Sequence, residues 1–196
     1  MLAARALPSL DQLPPTRSIL RRDFRKNPLS YAVPNFFAVP LGDLVKAVLL
    51  VIETESPIHR LDLLTRVANL WGFKAGQRIQ ERILSACDSA ERGRVILRKG
   101  DFYWSISNDG ECKFRSRAGT RIPGNRIASE EYEQAILAIL SKGHTFGPAQ
   151  LVNEVRTVFG FSRTGPILED AINAAIDSLK RQGKLGEGSG GIGLRS

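Results

Sequence analysis

Trp71-Gly72-Phe73-Lys74-Ala75-Gly76 returns later in the chain as Phe159-Gly160-Phe161-Ser162-Arg163-Thr164-Gly165. Each copy follows an apolar helical run and precedes another helix. That helix ends in a Gly-basic-aliphatic step, Gly93-Arg94-Val95 in the first copy and Gly183-Lys184-Leu185 in the second. A period of about 90 residues is too long for a solenoid and suits two tandem small domains. The 196 residues, 42% of them hydrophobic, suffice for two small cores.

Working outward from the first turn, Asp43 reads as the N-cap of a helix over Leu44–Glu53, with Leu44, Val48, Val51 and Ile52 at helical spacing. Ser56-Pro57 stops it, and Pro57-Ile58-His59 is extended. Leu61, Leu64, Val67 and Ala68 make a second amphipathic helix, ended at Gly72. A third follows from Gln77 to Glu91, with Ile79, Ile83, Leu84, Cys87 and Ala90 facing inward. Val95-Ile96-Leu97 and Phe102-Tyr103-Trp104 flank Gly100-Asp101 in a hairpin pattern. The second copy repeats the order. Ser129 caps a helix to about Ser141, Pro148–Val158 is a second, and Pro166 opens a third through Gln182. Its tail carries five glycines between Gly186 and Leu194, a poor wing at best.

Helix, short strand, helix, turn, helix, hairpin is the order of a winged helix, a helix-turn-helix variant. The expected fold is mainly α with short β-hairpins: two tandem winged-helix-like domains after an extended Pro-rich arm. The arm spans residues 1–42, the first domain 43–106, a basic connector 107–128, and the second domain with its Gly-rich tail 129–196. Six of the ten prolines lie in the arm, which leaves room for one short helix near Thr16–Phe24.

The net charge of +8 is unevenly spread. The arm holds six Lys/Arg against two acids, residues 43–104 ten against eight, residues 105–129 five against two, and residues 130–196 seven against eight. A basic excess on the arm, first copy and connector fits an acidic partner such as nucleic acid. Two cysteines, Cys87 and Cys112, make no disulfide framework and point to a reducing, cytoplasmic setting. The longest apolar run, Ala47–Ile52, is far short of a membrane span, and Met1–Leu10 does not read as a signal peptide.

No phosphate-loop signature occurs, and Gly188–Gly193 has no strand and helix to frame it as one. His59, His144, Cys87 and Cys112 lack the spacing of a zinc clip. Cys87 lies on an inward helix face, His59 at a helix start, and Glu53 and Glu55 read as solvated surface. No nucleophile–base pair is legible, so the chain is expected to be no enzyme and to need no cofactor. The positive candidates are basic. Lys74, Gln77, Arg78 and Arg82 occupy the start of the third helix, which enters the major groove in helix-turn-helix proteins. Arg78 and Arg82 share one face there. Arg98 and Lys99 sit at the hairpin tip, and Arg115, Arg117 and Arg121 stud the connector. Glu169 and Asp170 at the start of the last helix would repel phosphate, so the second copy reads as a packing or docking unit. Trp71 and Phe159 read as core anchors.

Glu53-Thr54-Glu55-Ser56-Pro57-Ile58-His59, Gly76-Gln77-Arg78-Ile79 and Gly100-Asp101-Phe102-Tyr103-Trp104, followed by Phe114-Arg115-Ser116-Arg117 and Gly160-Phe161-Ser162-Arg163-Thr164-Gly165, occur in the order of a known family. Over about residues 43–190 the chain resembles a domain of unknown function at the C-terminus of large bacterial superfamily-one helicases that also carry a Vsr-like endonuclease domain. Asp23-Phe24-Arg25-Lys26-Asn27-Pro28 is similar to the closing stretch of that nuclease. The resemblance covers only the tail of such proteins, without nuclease carboxylates or helicase motor, and implies a DNA-processing or defence context with a helicase or nuclease subunit as partner. The expectation is a non-catalytic nucleic-acid-binding module, with DNA as ligand and duplex favoured over single strand. The rival expectation is a protein-interaction or dimerisation scaffold.

Overall fold

The computed structural model describes residues 31–106, 112, 114–188 and 190–195. The expected helix near Thr16–Phe24, the nuclease-like stretch Asp23–Pro28, the turn Asn108-Asp109-Gly110 and Lys113 lie outside the described residues. The described chain is mainly helical with two small antiparallel sheets, and it divides into two compact units, one through residue 106 and one from Cys112 onward.

The first unit runs α1 (Leu41–Glu55), β1 (Ile58–His59), α2 (Arg60–Leu70), α3 (Gln77–Arg92), β2 (Ile96–Lys99) and β3 (Phe102–Ser105). β3 is the middle strand. Ile58 lies opposite Tyr103 on one side, and Arg98 lies opposite Tyr103 on the other. Leu44, Val48 and Ile52 of α1, Leu63, Leu64 and Val67 of α2, and Ile83 and Cys87 of α3 close the core over Tyr103.

The second unit runs α4 (Ser129–Leu140), α5 (Pro148–Phe159), α6 (Pro166–Arg181), β4 (Leu185–Gly188) and β5 (Gly191–Leu194). Phe146 bridges Ile192 of β5 just as Ile58 pairs with Tyr103, so it stands where β1 stands in the first unit. The Gly-rich tail, expected to be a poor wing or unstructured, forms this hairpin; its strands need few side chains because Leu185 and Ile192 alone reach the core.

The repeated turn has one geometry in both units. Gly72 and Gly160 each take φ of 77°, and the following Phe73 and Phe161 N–H groups donate to Ala68 O and Arg156 O, both at 3.1 Å. Only glycine takes this left-handed cap cheaply. At Gly160 a side chain is also excluded by packing, since a Cβ would fall 2.7 Å from the Ala118 Cβ. Phe159 is fully buried against Phe114 and Tyr132, as an anchor should be. Trp71 is only half-buried, edge-on to Tyr31 and Phe36.

The described end of the arm, residues 31–42, and the connector from Phe114 onward pack into the units. A 3₁₀ turn over Phe36–Ala38, capped by Asn35 Oδ1, plants Phe36 and Val39 in the first core. Prolines excluded helix there but did not exclude burial of the apolar residues between them. From Phe114 onward the supposed connector folds onto the second unit. Phe114, Gly124 and Ile127 are buried, and Tyr132 Oη donates to Gly124 O at 2.9 Å. The two segments correspond: Val39 N donates to Phe36 O, and Ile127 N to Gly124 O, each at 3.2 Å. The first helix then starts at Leu41 and not after Asp43, and Ala128, not Ser129, holds the N-cap position of α4. In this correspondence Asp43 matches Glu131 and Phe37 matches Asn125.

The Gly-basic-aliphatic steps are out of register by one residue. Arg94 N donates to Glu91 O, and Gly183 N to Lys180 O, so Arg94 is the counterpart of Gly183. Arg94 has φ of 55° and Gly183 φ of 70°. An L-residue there costs about 1–2 kcal/mol. After the greater flexibility of glycine in the unfolded chain is subtracted, Arg94→Gly is expected to stabilise the first unit by about 0.5–1 kcal/mol, read as a higher urea midpoint.

Candidate nucleic-acid interface

α3 separates its faces cleanly. Ile83, Ala86, Cys87 and Ala90 are buried, with Ile79 and Leu84 packed beside them. The opposite face begins with Lys74 in the preceding turn and continues through Gln77, Arg78 and Glu81, all exposed. Gln77 Nε2 donates to Glu81 Oε1 at 3.2 Å, and a second exposed acid, Asp88, lies two turns further along this face.

The arginines differ. The Arg78 guanidinium lies 5.0 Å from the centre of the Phe37 ring, and among the described residues no carboxylate pairs with it. Arg82 is half-buried. Its guanidinium is 5.8 Å from the same ring, and Nη2 donates to Val39 O at 2.8 Å. Arg82 therefore ties the 3₁₀ segment to α3, and its expected role as an equal partner of Arg78 on the groove side is corrected. Phe37, 43% exposed, was not singled out from the sequence. The adjacent Phe36-Phe37 pair between Pro34 and Pro40 was the available signal: two aromatics in a tight turn cannot both face inward.

At the hairpin tip Arg98 Nε donates to Gly100 O at 3.2 Å, and its guanidinium lies 5.7 Å from the Tyr103 ring. Lys99 Nζ stands 4.5 Å from the Trp104 ring centre. Both residues remain exposed. Such contacts hold long side chains in place at about 0.5–1 kcal/mol each, without neutralising them. Arg60 Nε approaches Asp101 Oδ1 at 3.5 Å, so the acid at the tip has its own cation.

The connector cations divide. Arg121 is exposed. Arg117 is 5% exposed: Nη2 donates to Glu131 Oε1 at 2.7 Å and Oε2 at 3.0 Å, and Nη1 to Arg115 O at 2.8 Å. Arg115 Nη2 reaches the same Glu131 Oε1 at 3.5 Å. Arg117 is removed from the expected contacts because its charge is spent on a buried carboxylate. Arg115 is drawn to the same group. At the start of α6, Ile167, Glu169 and Asp170 are exposed.

The remaining candidates are structural. His59 caps α2, its Nδ1 accepting from Leu61 N at 3.1 Å. Glu53 is exposed, whereas Glu55 is half-buried and pairs with Arg66 at 3.2 Å, so its reading as a solvated acid is corrected. Among the described residues no three His, Cys, Asp or Glu side chains gather into a metal site, and no helix is long and apolar enough to cross a membrane. Cys87 is buried in the core beside Tyr103. Burial pushes its thiol from 9.0 up to about 12 and raises the Tyr103 phenol as well. The folded state therefore holds these protons after the unfolded chain has released them. The stability they support is intact below pH 9.0 and is lost as pH rises toward about 12. A urea midpoint that falls across this window, and falls less in Cys87→Ala, is the expected result.

Residues 35–81 match the model of an uncharacterised domain family, described as protein of unknown function (DUF3320). The match opens on Asn35, the cap of the 3₁₀ turn, and takes in Phe37, Lys74 and Arg78. No curated protein and no solved structure matches the chain.

Proposed function

We propose that the first unit is a winged-helix-like, non-catalytic module that binds nucleic acid, with DNA as its ligand and duplex favoured over single strand. The carrying observation is the outward face of α3. Lys74 and Arg78 stand exposed at its start, where the one acid of the first turns, Glu81, accepts from Gln77; Asp88 lies two turns further on. Arg98 and Lys99 at the hairpin tip supply a second exposed contact. In a winged helix these are the groove-facing helix and the wing. Arginine and lysine there grip phosphates, which gives affinity with little sequence preference. Arg121 on the second unit is a separate, weaker candidate.

The sequence resemblance supports reading the module as an accessory to a bacterial helicase or nuclease that processes DNA in the cytoplasm. The second unit reads as the docking half. At the positions of Arg78 and Arg82 it carries Ile167, 56% exposed, and Ala171, and acids follow Ile167 at Glu169 and Asp170. An exposed aliphatic side chain with an acid one turn on, at Asp170, suits a protein surface and disfavours phosphate.

Fluorescence anisotropy of a labelled random-sequence duplex, titrated with the full chain at low salt, tests the proposal. Saturable binding supports it. A stable dimer by light scattering with no anisotropy change favours the scaffold reading in its place.

A further inference from the structure

The first unit carries a cluster that the second, built on the same plan, lacks. Phe37 and the guanidiniums of Arg78 and Arg82 form it, at 5.0 and 5.8 Å from the ring centre. The corresponding positions of the second unit hold Asn125, Ile167 and Ala171. That unit folds with the same 3₁₀ turn, helix cap and hairpin, so the fold itself does not require an aromatic ring in contact with two arginines.

Phe37 is also held rather than merely exposed. Its flanks are pinned by Phe36, 1% exposed and edge-on to Trp71 and Phe73, and by Val39, fully buried with its carbonyl on Arg82. Its own N–H donates to Asn35 Oδ1 at 2.9 Å. A turn fixed at both ends presents the ring outward with little entropy left to lose. The cations on it are Arg78 and Arg82, and Glu81, between them in sequence on α3, accepts from Gln77.

We propose that Phe37, framed by Arg78 and Arg82, is a stacking platform for an unpaired base, so that the nucleic acid taken by this unit is a duplex bearing a single-stranded end. The inference rests on the reading of the first unit as a nucleic-acid module and names the substrate within it. A flat ring stacks on any base, and the exposed Arg78 guanidinium beside it can pair with the phosphate that follows, while Arg82 holds the turn in place. A base inside a blunt duplex has both faces occupied by its neighbours and cannot use the ring. Lys74 and the hairpin cations contact the duplex portion, whereas Phe37 responds only to the unpaired end.

The test compares three probes on the full chain: a blunt duplex, the same duplex with a short oligo-dT overhang, and the overhang strand alone. Wild type is expected to bind the overhang duplex about five- to a hundred-fold more tightly than the blunt one, the range that one stacked base supplies. Phe37→Ala and Phe37→Leu should abolish that ratio while leaving blunt-duplex affinity within about twofold, and Phe37→Trp should keep it. Leu retains apolar volume against the arginines, so a purely structural role for the ring would leave the ratio intact in Phe37→Leu. Equal affinity for blunt and overhang duplexes, or a preference that survives Phe37→Ala, overturns this inference alone. Absence of binding to every probe overturns the nucleic-acid reading together with it.

Discussion

Glu131→Gln is expected to destabilise the second unit by about 3–5 kcal/mol, the usual cost of leaving a buried charge without its partner. Gln keeps the shape of the side chain, so the loss is electrostatic. Glu131 is fully buried on the first turn of α4 and accepts two hydrogen bonds from Arg117 and a longer one from Arg115. Without the carboxylate charge, Arg117 keeps its positive charge in a site 5% exposed, where water cannot replace the lost partner. Against a typical total of about 5–15 kcal/mol, such a loss leaves much of the unit unfolded at ambient temperature. Urea denaturation followed by far-UV circular dichroism checks it. Glu131→Gln combined with Arg117→Met should recover a large share, because exchanging both partners of a buried pair for uncharged groups is often close to neutral. A loss below about 1 kcal/mol in the single variant contradicts the burial on which the correction of Arg117 stands.

The second large effect concerns binding. Arg78→Glu together with Arg98→Glu is expected to lower duplex affinity at low salt on the order of 100-fold, since two phosphate contacts are replaced by two repulsions. Both residues are exposed; each gives up a cation–π contact worth at most about 1 kcal/mol, and Arg98 also an exposed hydrogen bond to Gly100 O, so the fold should persist. Unchanged circular dichroism alongside the loss of affinity separates contact from unfolding. Arg181→Glu, an exposed reversal in the second unit, should alter affinity less than about threefold. Equal losses from both variants would mean that overall charge, rather than the α3 and hairpin surface, attracts the ligand.

The sequence made the helices legible because their signals are local. The Ile79-Ile83-Cys87 spacing placed α3 at Gln77–Glu91, and it ends one residue later. Pro166 marks the first residue of α6, and Gly72 and Gly160 mark the turns that end α2 and α5. What escaped depends on contacts distant in sequence. Arg117 alternates with small polar residues in the same way whether it is solvated or paired, and its partner lies fourteen residues on, at a helix start where a glutamate already has a local reason to be. Phe36 and Phe114 looked like parts of linkers because proline and charge dominate their neighbourhoods; each is buried by the aromatic turn of its own unit. The one-residue slip between Gly93 and Gly183 arose from aligning glycines, whereas the backbone aligns the left-handed positions, Arg94 and Gly183. Of the expected basic site, Lys74, Arg78, Arg98, Lys99 and Arg121 lie exposed, Arg82 serves partly as a tie, and Arg115 and Arg117 belong to the buried pair.

The most direct measurement is the slope of log affinity for duplex DNA against log salt concentration, taken with the full chain. Lys74, Arg78, Arg98 and Lys99 together release about three to four counterions, which predicts a slope of about −3 to −4. A slope near zero, or no measurable affinity at low salt, contradicts the assignment of this surface to nucleic acid.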